Sequence, residues 1–274
     1  MASDKKIVFI TGGNTGLGLA VVKALAGSPV HYELIVGSRT VSKGEVAIAQ
    51  VKAEFPESKT TLSVLQADLA SDESLEKAAE ALMTKYGRLD VLINNGGGSF
   101  DYEIDQGRMT LRQGFNASWD VNVAGTHVLT TLAVPLLIKS ADPRLLFVTS
   151  GTSCIHETTL GTDHPALKRI NSSPPAGWPK NMPGMMTTSY RSAKTGLNML
   201  MREWHRMLLN DGVKVWCISP GFLATGLAGV GVEKLKEMGA LDPSVGGHFI
   251  KDVVEGQRDA DVGKIIRKNM IQPW

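Results

Sequence analysis

The sequence predicts an α/β protein: a doubly wound parallel sheet flanked by helices, in a single domain over residues 1–274. Three observations carry this. Short β-branched runs alternate with segments of helical period, most of those runs are largely apolar without polar alternation, and a glycine cluster separates the first run from the first helical segment. Continuously apolar runs suit strands covered on both faces, as parallel sheets require, and strand–helix alternation at this spacing winds such a sheet.

The predicted strands are KIVFIT (6–11), YELIVGS (32–38), TLSVLQA (61–67), LDVLIN (89–94), RLLFVTS (144–150) and VKVWCIS (213–219). The clearest helix covers 72–86, where Leu75, Ala78, Ala79, Leu82 and Met83 share one face behind the capping residues Ser71 and Asp72. The rhythm breaks twice. Residues 151–188 hold Pro165, Pro174, Pro175, Pro179 and Pro183, too many for one regular element and too long a stretch for an ordinary loop, and read as an insertion with local structure of its own. Residues 222–249, rich in Gly and small apolar residues around VEKLKEM, read as a substrate lid. Both follow the C-terminal ends of strands, the edge where such sheets bind ligands. There is no internal repeat or domain linker.

Composition excludes several classes. A hydrophobic fraction of 43% with 20% charge supports a large core. The net charge of +2 is spread without long basic runs, which argues against nucleic acid and anionic membranes and for small-molecule partners. Cys154 and Cys217 make no disulfide framework or metal spacing and read as buried apolar fillers in a reducing compartment. No leader-like segment or membrane-length apolar span is visible, so the expected location is cytoplasmic. The six histidines include no HExxH or close pair, so no metal is expected; His156 and His164 read as loop or pocket-edge groups. Met182, Met185, Met186 and Trp178 read as packing of the insertion, and Asp101, Glu103 and Asp105 as a solvated acidic loop.

Directly after the first strand comes Thr11-Gly12-Gly13-Asn14-Thr15-Gly16-Leu17-Gly18, then the helical run LAVVKALAG. Glycines at a strand-to-helix turn permit positive φ and close approach of a pyrophosphate to the free N–H groups of the helix start. The context is that of a Rossmann-type dinucleotide site. At the end of strand two, where an NAD enzyme offers an acid to the ribose 2′-OH, stand Ser38, Arg39 and Thr40. A guanidinium and hydroxyls suit a 2′-phosphate, so NADP(H) is favoured over NAD(H).

The glycine pattern, Asp68 after strand three, Asn94-Asn95-Gly96-Gly97 after strand four, Asn122 in NVAG, Ser150 ending strand five, Tyr190-x-x-x-Lys194, and Pro220-Gly221-Phe222-Leu223-Ala224-Thr225 after strand six together resemble the short-chain dehydrogenase/reductases of the compact, single-domain type. The resemblance covers nearly the whole chain. It implies that Asp68, with Leu69 beside it, holds the adenine, that Asn95, Gly96 and Gly97 pack by the adenosine ribose, and that Pro220, Gly221, Phe222 and Thr225 meet the carboxamide or pyrophosphate region. It makes Tyr190 the proton donor or acceptor, Lys194 its partner and a nicotinamide-ribose ligand, Ser150 the substrate-carbonyl ligand, and Asn122 a link in a water relay. NNGG stands where the family usually has NNAG, which should cost some rigidity without removing a contact. The long gap from Ser150 to Tyr190 resembles the carbonyl-reductase branch, whose insertion can cover the usual oligomer face; homo-oligomer and monomer both stay open.

The chemistry fits independently. A free phenol, pKa about 10, is a poor base near neutrality. Lys194, one helical turn on, shares its face; a unit charge at about 4 Å and dielectric about 20 is worth roughly 4 kcal/mol before desolvation, enough to draw the phenol towards neutral pH. The sequence is thus expected to be an NADPH-dependent carbonyl reductase or alcohol dehydrogenase acting on a bulky apolar ketone or aldehyde. A non-catalytic NADP(H)-binding redox-sensing partner and an epimerase or dehydratase on the same scaffold are the alternatives.

Overall fold

The computed structural model describes residues 5–160, 165–180 and 187–274. Its strands are β1 Lys6–Ile10, β2 Tyr32–Ser38, β3 Thr61–Gln66, β4 Val91–Asn94, β5 Arg144–Val148, β6 Lys214–Ile218, β7 Ile265–Arg267 and β8 Met270–Ile271. They form one sheet in the order β3-β2-β1-β4-β5-β6-β7-β8, parallel throughout except for β8, which runs antiparallel to β7. This is the doubly wound Rossmann-type arrangement that the strand pattern predicts. The six strands read from the sequence are all present, trimmed where the chain turns: Thr149 and Ser150, for example, leave β5 to start a 3₁₀ turn over Gly151–Ser153. Strands β7 and β8 are too short to show a period in the sequence, yet Ile265 and Ile266 are fully buried.

The helices are α1 Gly16–Ala26, α2 Val41–Glu54, α3 Asp72–Tyr86, α4 Asp101–Asp105, α5 Leu111–Trp119, α6 Gly125–Leu137, α7 Ile155–Leu160, α8 Pro165–Asn171, α9 Thr188–Leu208, α10 Val232–Glu237 and α11 Pro243–Val254. Both faces of the central strands are covered, which is why their middle residues are apolar in succession. On one face Phe9, Leu92, Leu145 and Phe147 pack with Leu75 and Leu82 of α3, Leu129 and Leu136 of α6, and Leu197 and Met201 of α9. On the other, Val8, Leu34, Ile93 and Trp216 pack with Val21 and Leu25 of α1, Ile48 of α2, and Phe249 and Ile250 of α11. Each fully buried side chain of this size contributes about 1.5–3 kcal/mol.

Helix α3 lies where its spacing predicts, capped by the Ser71 hydroxyl accepting from Ser74 N and ended by Gly87 at φ 68. Leu75, Ala78 and Leu82 are buried, whereas Met83 sits at the rim, 40% exposed. The expected lid divides at Pro243. Its last residues belong to α11, where a Cβ on Gly247 would lie 2.6 Å from the Ala20 carbonyl oxygen, so these glycines serve close helix packing. Trp178 does not pack the insertion as expected; it stands 86% exposed. Met182, Met185, Met186 and His164 lie outside the described residues. Cys154 and Cys217 are both buried free thiols. Among the described residues no helix is long and apolar enough to cross a membrane.

The strand order reverses between β1 and β4, so the crevice opens at their C-terminal ends. The opposite edge carries an ionic network. Arg144, 4% exposed, donates to both oxygens of Asp142 and of Asp259 and lies over the Trp216 ring, and Lys214 bridges the same two acids. Hydrogen bonds from Arg144 and Lys214 hold the Asp259 carboxyl below its ordinary range. A depressed carboxylate stabilises the fold above its unfolded pKa of about 3.9 and loses that contribution as pH falls towards its folded value. Asp259→Asn should therefore lower Tm at pH 7 by roughly 2–6 °C, from a loss of about 1–2 kcal/mol after allowance for the site's partial exposure. The gap from wild type should shrink below about pH 4; thermal scans from pH 3 to 8 check both.

Candidate active site

The glycine loop forms as its sequence requires. Gly12 and Gly16 have φ of 62 and 53, in the left-handed region that other residues avoid. A Cβ on Gly18 would overlap the Gly12 carbonyl oxygen, so the first turn of α1 touches the loop backbone. Thr15 makes no side-chain cap on α1 and the first turn holds no acid, which leaves the positive helix end open to an anion at Asn14, Thr15 and Leu17. Thr225 lies over Gly16, its Cβ 3.4 Å from where a Gly16 Cβ would be, and Leu17 and Pro220 flank Gly246 of α11. Gly221 takes φ 109, and Phe222 O accepts from Leu241 N while Ala224 N donates to Leu241 O, pinning the base of the lid.

Asn95 does structural work in the loop. Its Nδ2 donates to the carbonyls of Thr11 at 2.9 Å and Gly12 at 3.3 Å, while the Thr11 hydroxyl accepts from the backbone of Asn95 and Gly96. A Cβ on Gly96 would stand 2.8 Å from Leu69 Cδ1, so Leu69 fills the space that an alanine methyl would take. Asp68 accepts from Ala70 N through Oδ1; among the described residues its Oδ2 has no partner.

Ser38 lies at the end of β2, where the sequence places it. It is 1% exposed and its hydroxyl donates to Thr40 O at 2.8 Å, so its proton is committed to the turn and only lone pairs would face a phosphate. Arg39 is exposed, and among the described residues its guanidinium has no hydrogen-bond or ion-pair partner. The loop geometry fits a dinucleotide.

Asn122 and Lys194 meet at Gly97, and Tyr190 joins them through its contacts with Lys194 and Ser150. Asn122 lies in a π-helical turn, Asp120–Ala124, is fully buried, and donates from Nδ2 to the carbonyls of Gly98 and Ser118, both at 2.8 Å. π-turns inside α-helices recur at functional sites. The Asn122 Oδ1 has no partner among the described residues, and a Cβ on Gly97 would overlap it while lying 3.4 Å from Lys194 Nζ. Lys194 donates to Val148 O at 2.9 Å, with its Nζ 5.7 Å from the Tyr190 ring centroid. The Ser150 hydroxyl hydrogen-bonds with Thr152 Oγ1 at 2.9 Å and also favours the Tyr190 phenolate.

The electrostatics reverse the expectation for the phenol. Burial pushes Tyr190 up to about 12 against the smaller opposing effect of Ser150, and burial draws Lys194 down to about 8. Desolvation dominates the phenol, with Lys194 Nζ 5.7 Å from its ring centroid.

Several residues that fix this geometry carry no sequence signal. Asp101 is not solvated: it is 6% exposed, and its carboxylate accepts from Ser189 N at 2.9 Å and Tyr190 N at 3.0 Å. Thr149 Oγ1 donates to Asn198 Oδ1, Asn198 Nδ2 to Ser153 Oγ, and Ser153 Oγ to Ser150 O, a buried chain that sets the serine turn against α9. Arg191 donates to the Thr152 and Ile170 carbonyls and to Asn171 Oδ1, tying α8 of the insertion to α9. Gln272 donates to Ser150 O and accepts from Arg267, which grips Glu157 of α7 through both guanidinium nitrogens at 2.7 Å. His156 contributes its backbone N–H to Trp274 O. A surface hollow of about 510 Å³ between α5, the π-turn and α9, lined by Trp119, Asp120, Val123, His127 and Leu200 among others, includes none of the four candidate residues. Among the described residues no His, Cys, Asp or Glu cluster suits a metal.

Comparison with known proteins gives a family and a fold. The sequence model of the short chain dehydrogenase family matches residues 6–160 and 172–235. The chain is 43% identical to the short-chain dehydrogenase/reductase eupG of Phoma sp, with 100% of this chain and 99% of that protein covered. It is 40% identical to the short-chain dehydrogenase/reductase tropE of Talaromyces stipitatus, with 99% of each covered. A solved NADPH bound carbonyl reductase from chicken fatty liver superposes with TM-score 0.75 over 98% of this chain and 99% of that one, at 20% identity, a likeness of fold.

Gly18→Ala tests the loop. The added methyl displaces backbone, not a flexible side chain, so Tm should fall by an amount corresponding to about 1–3 kcal/mol of overpacking. Dinucleotide affinity should drop at least about tenfold, since the N–H groups leave their phosphate-facing positions; thermal scans and fluorescence titration with NADPH measure the two effects.

Proposed function

The chain belongs to the short-chain dehydrogenase/reductase family, oxidoreductases acting on carbonyl and hydroxyl groups, and on that premise we propose that it is an NADPH-dependent carbonyl reductase for a bulky apolar ketone or aldehyde. The observation that carries this reading is the convergence of Ser150, Tyr190, Lys194 and Asn122 beside the glycine loop, at the C-terminal edge of the sheet.

Each group then has a task. Ser150 donates to the substrate carbonyl oxygen and holds it near the phenol. Tyr190, buried with a pKa of about 12, stays protonated at neutral pH and is poised to donate. The alkoxide it protonates is a stronger base still, alcohols being about as weakly acidic as water at roughly 15.7. In oxidation the same residue would act in reverse, as the base. Lys194, largely charged below its pKa of about 8, offsets negative charge as the phenol gives up its proton. The free Asn122 Oδ1 accepts from a water that can resupply it. Bound NADPH supplies the two electrons and the hydrogen that reach the carbonyl carbon.

Support for NADPH comes from Arg39, and rat carbonyl reductase (NADPH) 1, 25% identical over 100% of both chains, carries that cofactor in its name. Support for an apolar substrate comes from the exposed Leu227, Val232, Met238 and Leu241 in the segment after β6 and Ile155 at the start of the insertion.

Transfer of label from deuterated NADPH across a panel of ketones is the direct test; no product from any of them sinks the reading. Tyr190→Phe should cut turnover by about 10²–10⁴ while NADPH binding stays within a few-fold. Arg39→Ala should weaken NADPH binding about 10–100-fold, the loss of a charge-assisted pair, and leave NADH binding nearly unchanged. Titration with both dinucleotides decides this.

A further inference from the structure

The first turn of α9 lacks the cap that its sequence position calls for. Thr187, at φ −127 and ψ 30, makes no side-chain hydrogen bond to it. The N–H groups of a helix's first turn have no partner within the helix. Here two of them, on Ser189 and on Tyr190 itself, are taken up by the Asp101 carboxylate at 2.9 and 3.0 Å. Asp101 comes from α4, 88 residues earlier in the chain, and is buried.

The same stretch is held at its other end by the second candidate catalytic element. Asn122 Nδ2 donates to Gly98 O, three residues before Asp101, and to Ser118 O. Ser118 Oγ in turn hydrogen-bonds with Ser189 Oγ at 2.9 Å. The path Asn122–Gly98–Asp101–Tyr190, in which Gly98 and Asp101 are joined by the chain itself, is therefore closed by Ser118 and Ser189 into a small ring in which every hydrogen bond is 3.0 Å or shorter. Next to Asp101, the Tyr102 ring lies against the segment after β6, since a Cβ on Gly229 would be 2.9 Å from its Cδ1.

We propose that Asp101 is a positioning residue for the reaction: its carboxylate, bound to the Tyr190 backbone, fixes the height and rotation of the phenol relative to Ser150 and Asn122. A tyrosine near the start of a helix otherwise sits on its most easily frayed turn. A misplacement of about 1 Å costs a reaction of this kind about 10²-fold. The proposal rests on the carbonyl-reductase reading for its catalytic consequence, but the clamp itself is a property of the chain.

The test uses Asp101→Asn, which keeps one acceptor oxygen, and Asp101→Ala, which keeps none, in the full-length protein. With a ketone turned over by wild type, kcat should fall about 10-fold in the first and about 100-fold in the second, with KM for NADPH within about twofold. Amide hydrogen exchange should accelerate at Ser189 and Tyr190 and stay unchanged at Leu197, deeper in α9. Wild-type kcat in either folded variant, even with faster exchange at the helix start, would reduce Asp101 to a structural cap and overturn the proposal. So would a loss of Tm with faster exchange along all of α9 in both variants, which would assign Asp101 to folding. If wild type turns over no carbonyl compound, the proposed function fails; unchanged exchange at Ser189 and Tyr190 in Asp101→Ala refutes the clamp separately.

Discussion

The site depends on backbone being brought closer to its neighbours than any side chain allows. At Gly18 the first helix rests on the glycine loop, at Gly125 the sixth helix meets the Leu69 carbonyl, and at Gly97 the end of β4 comes against Asn122 and Lys194. In each place a methyl group would occupy space already filled. These contacts set the depth of the crevice, and the polar groups that converge there are positioned by packing before any of them forms a hydrogen bond.

That packing also fixes the electrostatics. Because Tyr190 and Lys194 are buried, each is pushed towards its neutral form, and the pair is not the strong phenolate-stabilising couple that spacing alone suggests. Charge is instead concentrated at the far edge of the sheet, where Arg144, Lys214, Asp142 and Asp259 neutralise one another at the strand starts. One end of the sheet holds its ions in a paired network, while the other leaves a guanidinium at Arg39 and an open helix end available to a ligand.

Much of this was legible in the sequence because it depends on local rules. Runs such as VFI and LLFV are apolar at each residue since both sheet faces are covered, and α3 announces itself by its period and its Ser71 cap. The glycine loop, Asn122, Ser150, Tyr190 and Lys194 could be found from residue type and order. What stayed hidden depends on partners distant in the chain. Nothing in DYEID separates Asp101, buried under α9, from the more exposed Glu103 and Asp105, and nothing around Ser38 shows that its hydroxyl bonds to Thr40. Strands β7 and β8 offered too few residues for a period, and the exposure of Trp178 runs against its hydrophobicity.

The packing of α11 on α1 has a consequence for how the chain comes into being. Val21 and Leu25 of the first helix are covered by Phe249 and Ile250, and the Ser150 turn is held by Gln272. During synthesis the earliest helix can pack at once on β1, β2 and α2, but the part of its apolar face that α11 covers waits for more than two hundred further residues. A nascent chain of this kind cannot complete its sheet piecemeal as it leaves the ribosome, and it carries an adhesive surface through most of its translation.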